Sequence, residues 1–146
     1  MAIKIEKDNE LIEQFIKQSN QLYHYTLSDN MIGNTNYDSK YSIKLGKNLD
    51  KVVKLIIKSK TAMDNFIELI DNNDLLTAYL ASEYLYPLYP QKCLKIMKDF
   101  YNKTSDKIDR FTIKTKIDGL RNKEKFFIET YKSLYDTEDL ESLNRE

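Results

Sequence analysis

Several residue types are scarce in this 146-residue chain, and each scarcity excludes a class of protein. Three Gly and two Pro residues are too few for the turns of a β-sandwich or for a glycine-rich phosphate loop. One Cys excludes an internal disulfide and a cysteine-built zinc site, and one His excludes sites that need several His ligands. The sequence also lacks the common nucleotide-binding, metalloprotease and serine-hydrolase motifs. We therefore expect no enzymatic activity, no catalytic residues, no cofactor and no metal.

Net charge and long apolar runs are absent as well. Lys and Arg together number 23, equal to Asp and Glu, so no overall field attracts nucleic acid or a membrane. Arginine, which reads bases and clamps phosphates best, occurs only at Arg110, Arg121 and Arg145. The longest apolar clusters are far shorter than the roughly 20 residues that span a bilayer. We expect a cytoplasmic protein without membrane contact, for which nucleic acid is a disfavoured partner.

Apolar residues at helical spacing fill most of the chain, which predicts an all-α fold. Asp8, Asp74 and either Ser105 or Asp106 stand where helix caps are expected, and Gly33 begins the clearest break. Pro87 and Pro90 bracket another stop. The length fits a single domain over residues 1–146, folded from about 8 to 135, with a polar acidic tail over 136–146 that frays. The predicted helices cover residues of about 8–31, 37–59, 62–71, 75–86, 90–102, 106–120 and 123–135.

The later helices are short and separated by tight turns, as in the helix pairs of an α-solenoid. Residues of about 62–86 and 90–120 form two such pairs, and the longer N-terminal helices cover the end of the stack. The prediction is therefore a short HEAT/armadillo-like α-solenoid of six or seven helices.

Residues 64–97 resemble a bacterial family of single-domain HEAT/armadillo-like proteins. The resemblance extends over about residues 10–120 and includes the Gly33–Asn34 turn, although Ser39 and Thr77 stand where the family often has Asn and Arg. It implies an all-helical stack, and some members resemble immunity proteins encoded beside secreted bacterial toxins. The matching residues are Leu69, Asp71, Asp74, Tyr79, Ala81, Tyr89, Pro90, Lys92, Leu94 and Met97.

Six lysines recur at alternating intervals of four and three residues, which places them on one helical face. We call Lys40, Lys44, Lys47, Lys51, Lys54 and Lys58 the lysine face. One interpretation is a solvated face opposite the apolar one. The other is a contact for an anionic partner, either a nucleic-acid backbone or an acidic protein surface, with Lys47, Lys51 and Lys54 at its centre.

Residues 61–91 form the opposite pattern, an acidic segment without a basic residue. Carboxylates steer a protein towards a cationic partner and tyrosines anchor interfaces, so this segment suits an inhibitor of a nuclease. The alternative is that the acids are helix caps and the tyrosines core residues. The binding candidates in this segment are Asp71, Asp74, Tyr79, Glu83 and Tyr86.

The single His and the single Cys do not indicate a catalytic site. His24 lies between Tyr23 and Tyr25, and spacing gives it no orienting carboxylate. Cys93 lies between aliphatic helical positions, as an inert buried thiol does.

The resemblance and the charge pattern together predict an immunity protein that occludes the active site of a cognate toxin, such as a secreted or contact-dependent RNase. The alternatives are a HEAT-like nucleic-acid-binding protein that uses the lysine face, and a non-enzymatic scaffold for other proteins.

Overall fold

The computed structural model describes residues 2–146, of which 78% are helical and none forms a strand. The all-α prediction is confirmed, although the described residues form eight α-helices where about six or seven were predicted. No helix in this part of the chain combines the length and apolar character needed to cross a membrane. The helices of the described residues are α1 Ala2–Tyr25, α2 Ser28–Met31, α3 Ser39–Lys58, α4 Lys60–Glu68, α5 Leu75–Leu85, α6 Pro90–Lys103, α7 Lys107–Arg121 and α8 Lys125–Tyr135, with 3₁₀ turns at Leu69–Asp71 and Glu141–Leu143.

The chain divides into two compact units, the first ending at Glu68 and the second running from Leu69 to Glu146. In the first unit, α1 packs against α3 and α4, which also pack against each other. Phe15 of α1 is fully buried and meets Phe66 of α4 edge to face, with 4.7 Å between ring centroids. The apolar face of α3, with Val53 and Ile56 fully buried, completes this core.

The first helix differs from its predicted limits at both ends. Asp8 does not cap a helix, because α1 already begins at Ala2 and the Asp8 side chain is only 4% exposed. Its Oδ1 accepts a hydrogen bond from Ser59 Oγ at 2.9 Å, a partner 51 residues away. At the other end, the extended backbone of Leu27 separates α1 from the short α2, where one continuous helix was predicted.

The buried Asp8 carboxylate predicts that two substitutions at this position differ in their effect on the free energy of unfolding. Asp8→Ala removes the acceptor of the Ser59 hydroxyl and should lower the free energy of unfolding by about 1–3 kcal/mol. Asp8→Asn keeps an acceptor oxygen and should stay within about 1 kcal/mol of the parent protein. Urea unfolding monitored by circular dichroism measures both free energies. An Ala variant as stable as the Asn variant would contradict a stabilising role of the Asp8–Ser59 hydrogen bond.

In the second unit, helices adjacent in sequence pack on each other: α5 on α6, α6 on α7 and α7 on α8. Pro90 is the first residue of α6, as predicted, and Asp106 caps α7 by accepting from the N–H groups of Ile108 and Asp109. Two tyrosines also tie α8 to the end of α5. The Tyr131 hydroxyl donates to the Glu83 carbonyl, and the Tyr135 hydroxyl donates to the Tyr84 carbonyl at 2.7 Å.

The segment after α8 does not fray as predicted but docks on α6. The Arg145 N–H donates to the Leu88 carbonyl at 2.8 Å. The Glu146 side-chain carboxylate accepts from the N–H groups of Gln91 and Lys92, each at 3.1 Å. The N–H groups in the first turn of α6 have no acceptor within the helix, and Tyr89 at the N-cap supplies no side-chain acceptor. A carboxylate at that position is favourable because it also faces the positive end of the helix dipole.

Two helical glycines should respond oppositely to the same substitution. A Cβ at Gly46 in α3 would meet nothing within 4 Å, so Gly46→Ala should raise the free energy of unfolding by about 1 kcal/mol. A Cβ at Gly119 in α7 would lie 2.2 Å from Cε2 of Phe127, so Gly119→Ala must displace that ring and should cost about 1–2 kcal/mol. Chemical denaturation of both variants tests the pair, and two shifts of the same sign would contradict the contact of Gly119 with Phe127.

Candidate functional site

The lysine face occupies the solvent side of α3. All six of its side chains are exposed, while Leu49, Val53 and Ile56 on the opposite side are buried. At 1.5 Å per residue, the distance along the helix from Lys40 to Lys58 is about 27 Å. None of the six forms an ion pair with another residue that the structure describes. Their charges are therefore available to an external anion.

Two exposed aliphatic residues border the lysine face. Ile43 is 57% exposed and precedes Lys47 by one helical turn, while Leu55 is 53% exposed and follows Lys51 by one turn. A surface that combines cations with apolar side chains is suited to a protein partner, because covering it buries apolar area and pairs charges at the same time. A phosphate backbone would leave these two side chains without a favourable contact.

Three carboxylates of the acidic segment have partners within the protein itself. Asp71 Oδ1 lies 2.9 Å from Lys92 Nζ, and Glu83 Oε1 lies 3.0 Å from Lys116 Nζ. Asp74 occupies the N-cap position of α5 as predicted, but its carboxylate accepts from the Thr77 hydroxyl at 2.7 Å. Both lysines lie outside the segment, so the charges of Asp71 and Glu83 are balanced by partners that the segment itself does not contain.

Tyr79 is not an exposed anchor, which corrects the sequence-based choice of this residue. Its side chain is 2% exposed and stacks on Phe100, with ring centroids 4.3 Å apart. Tyr86 is half-buried and remains reachable from solvent. Burial raises the pKa of Tyr86, and the nearby Arg121 charge opposes that rise.

His24 and Cys93 show no arrangement for catalysis. His24 is exposed and contacts Tyr23 edge to face, with 5.5 Å between ring centroids. Burial, helped by the Glu146 charge and opposed by Lys92, raises the pKa of the Cys93 thiol to about 12. Almost no thiolate is then present at neutral pH, so Cys93 is a poor nucleophile.

The buried thiol and tyrosines predict loss of stability in alkali. Cys93 has an ordinary pKa of 9.0 that rises to about 12 on folding, and burial raises the pKa of Tyr135 as well. Above pH 9 the unfolded chain loses these protons while the folded chain keeps them, so the free energy of unfolding falls as pH rises. At pH 11, Cys93 alone should contribute a loss of about 2–3 kcal/mol. Urea unfolding at pH 8 and pH 11 measures this loss, and Cys93→Ala should make the dependence on pH shallower.

An apolar cavity of about 360 Å³ lies within the second unit. The α5–α6 connection, the end of α7, α8 and the C-terminal segment form its wall. Among the sequence-based site candidates only Tyr86 contributes to it. Its residues are scattered from 86 to 144, and no local spacing signals that they meet.

No group of three or more potential metal ligands occurs among residues 2–146. No protein-family model, curated protein or solved structure matches this chain.

Proposed function

We propose that this chain is a binding protein of the toxin-immunity type, which attaches to a cognate bacterial toxin and occludes its active site. The observation that carries the proposal is the lysine face, six exposed cations that no described residue neutralises. Such a face speeds encounter with an acidic surface and selects against basic ones. The action is steric, so it requires no catalytic group, cofactor or metal.

The proposed contact is mainly basic, whereas the acidic segment alone would suggest an acidic inhibitor surface. Glu83 and Asp71 already pair with lysines of the same chain, so a partner must compete for them. The lysine face has no such competitor, and Ile43 and Leu55 add apolar area beside it. We therefore assign the principal contact to the lysine face and an acidic surface to the toxin, with Asp71, Asp74 and Tyr86 as a secondary contact.

A HEAT/armadillo-like stack is the finer architecture that we propose for the helices. It is supported by the consecutive packing of α5, α6, α7 and α8, since solenoid helices bury their faces against neighbours in sequence.

Nucleic-acid binding is the second candidate, because the same six lysines could follow a phosphate backbone. The absence of Arg from α3 and the exposed Ile43 and Leu55 disfavour it. A titration with duplex RNA and DNA distinguishes the candidates. Binding through this face would weaken steeply with salt and disappear with Lys47→Glu and Lys54→Glu combined, whereas the immunity proposal predicts little affinity at physiological salt.

Co-expression with the polypeptide encoded immediately upstream tests the immunity proposal. The two chains should copurify through size-exclusion chromatography as one complex of fixed stoichiometry. Separate elution of the two folded chains would contradict the proposal.

A further inference from the structure

The cavity of the second unit has the size and lining of a small-molecule site. Its volume of about 360 Å³ falls in the range of ligand pockets, which are mostly apolar with a few polar groups at the wall. Leu120 at the end of α7, Phe127 and Ile128 of α8, and Leu140 of the C-terminal segment provide apolar surface.

The charged residues of the cavity wall leave two cations without an anionic partner. Lys123 faces Glu141, with 3.9 Å between Nζ and Oε1, and Asp139 Oδ1 accepts from the N–H of Glu141 at 3.0 Å. Arg121 and Lys132 also line the cavity, and neither forms an ion pair with a residue that the structure describes. The wall thus carries the cations of Arg121, Lys123 and Lys132 and the carboxylates of Asp139 and Glu141, a net charge of +1 beside an apolar interior.

We propose that this cavity binds a small amphipathic anion, a molecule with one carboxylate on an apolar chain or ring. The apolar part packs against Leu120, Phe127 and Ile128. The carboxylate pairs with Arg121, whose guanidinium geometry matches it, and Lys132 supplies a second cation. Leu140 and Asn144 bring the C-terminal segment into the wall, so a bound ligand also contacts the docked segment.

Isothermal titration calorimetry of the purified chain with sodium decanoate tests the proposal. Decanol and decyltrimethylammonium serve as neutral and cationic analogues with the same apolar chain. Decanoate should bind at one saturable site, with decanol about tenfold weaker and the cation weaker still. Equal affinities for the three compounds, or no saturable binding of decanoate, would overturn the proposal.

Variants test whether the ligand binds in this cavity, and they distinguish the contribution of its charged residues from that of its apolar wall. Arg121→Gln and Lys132→Gln together should weaken decanoate binding about tenfold or more and leave decanol unchanged. Ile128→Trp places a larger ring in the cavity, which takes up part of the space for the apolar chain and should weaken both ligands. Lys114→Gln, an exposed change on α7 away from the cavity, is the control and should bind as the parent protein does.

Circular dichroism and thermal unfolding confirm that each variant folds before its affinity is compared. If Ile128→Trp does not fold, the double variant decides, because Arg121 is exposed and Lys132 is half-buried. A folded double variant that binds decanoate as tightly as the parent protein would overturn the assignment.

Discussion

Tyr79→Ala is expected to lower the free energy of unfolding by about 4 kcal/mol. The ring lies in the middle of α5, stacks on Phe100 of α6 and is 2% exposed, so its removal leaves a cavity that α5 and α6 cannot easily close. The size of the effect follows from lost apolar burial together with the unfilled space. Thermal and urea unfolding followed by circular dichroism measure it.

Tyr86→Ala is the matched control, because Tyr86 follows the same helix but is only half-buried. It should cost about 1–2 kcal/mol, since part of its surface stays in contact with water. Similar losses for the two variants, or a loss below about 1 kcal/mol at Tyr79, would contradict the placement of Tyr79 in the core.

Simultaneous Lys47→Glu, Lys51→Glu and Lys54→Glu should weaken the proposed complex by about 100-fold, mainly through slower association. These three lysines lie at the centre of the lysine face, and reversing them converts attraction to an acidic partner into repulsion. All three are exposed and unpaired among the described residues, so the free energy of unfolding should change by less than about 1 kcal/mol. Surface plasmon resonance at two salt concentrations measures the association rate.

The control for this triple variant reverses Lys98, Lys107 and Lys114, which are exposed and lie outside α3. It changes the net charge by the same amount and should leave the affinity within about threefold of the parent protein. Equal weakening by both triple variants would show that overall charge, rather than the lysine face, governs the complex.

Local signals in the sequence were sufficient to predict most helix boundaries. Asp106 accepts from two N–H groups of its own helix, Pro90 begins α6, and Gly33 has a φ of 75° in the break before α3. Each of these features depends on residues within a few positions, which a sequence displays directly. The lysine face is equally local, because helical periodicity alone places its side chains together.

The features that the sequence did not reveal depend on distant partners. Asp8 looks like a helix cap, but it bonds Ser59 across 51 positions. Glu83 looks unneutralised, but Lys116 of α7 lies 3.0 Å away. Glu146 looks like part of a free tail, but it accepts from the first turn of α6.

The cavity and the burial of Tyr79 could not be predicted for the same reason, because both depend on tertiary packing. An acidic segment with several tyrosines does not indicate which rings face the core, since Tyr suits both an interface and an interior. Contact with Phe100 decides this for Tyr79, and the meeting of α7, α8 and the C-terminal segment creates the cavity. Tertiary packing therefore determined which of the proposed binding residues remain accessible.

Growth of bacteria that produce the upstream-encoded polypeptide is the most direct test of the immunity proposal. Co-production of the parent chain should restore growth, and the Lys98, Lys107 and Lys114 control should restore it equally. The Lys47, Lys51 and Lys54 reversal should fail to restore growth at matched levels of folded protein. Failure of the parent chain to protect, or full protection by the Lys47, Lys51 and Lys54 reversal, would contradict the account.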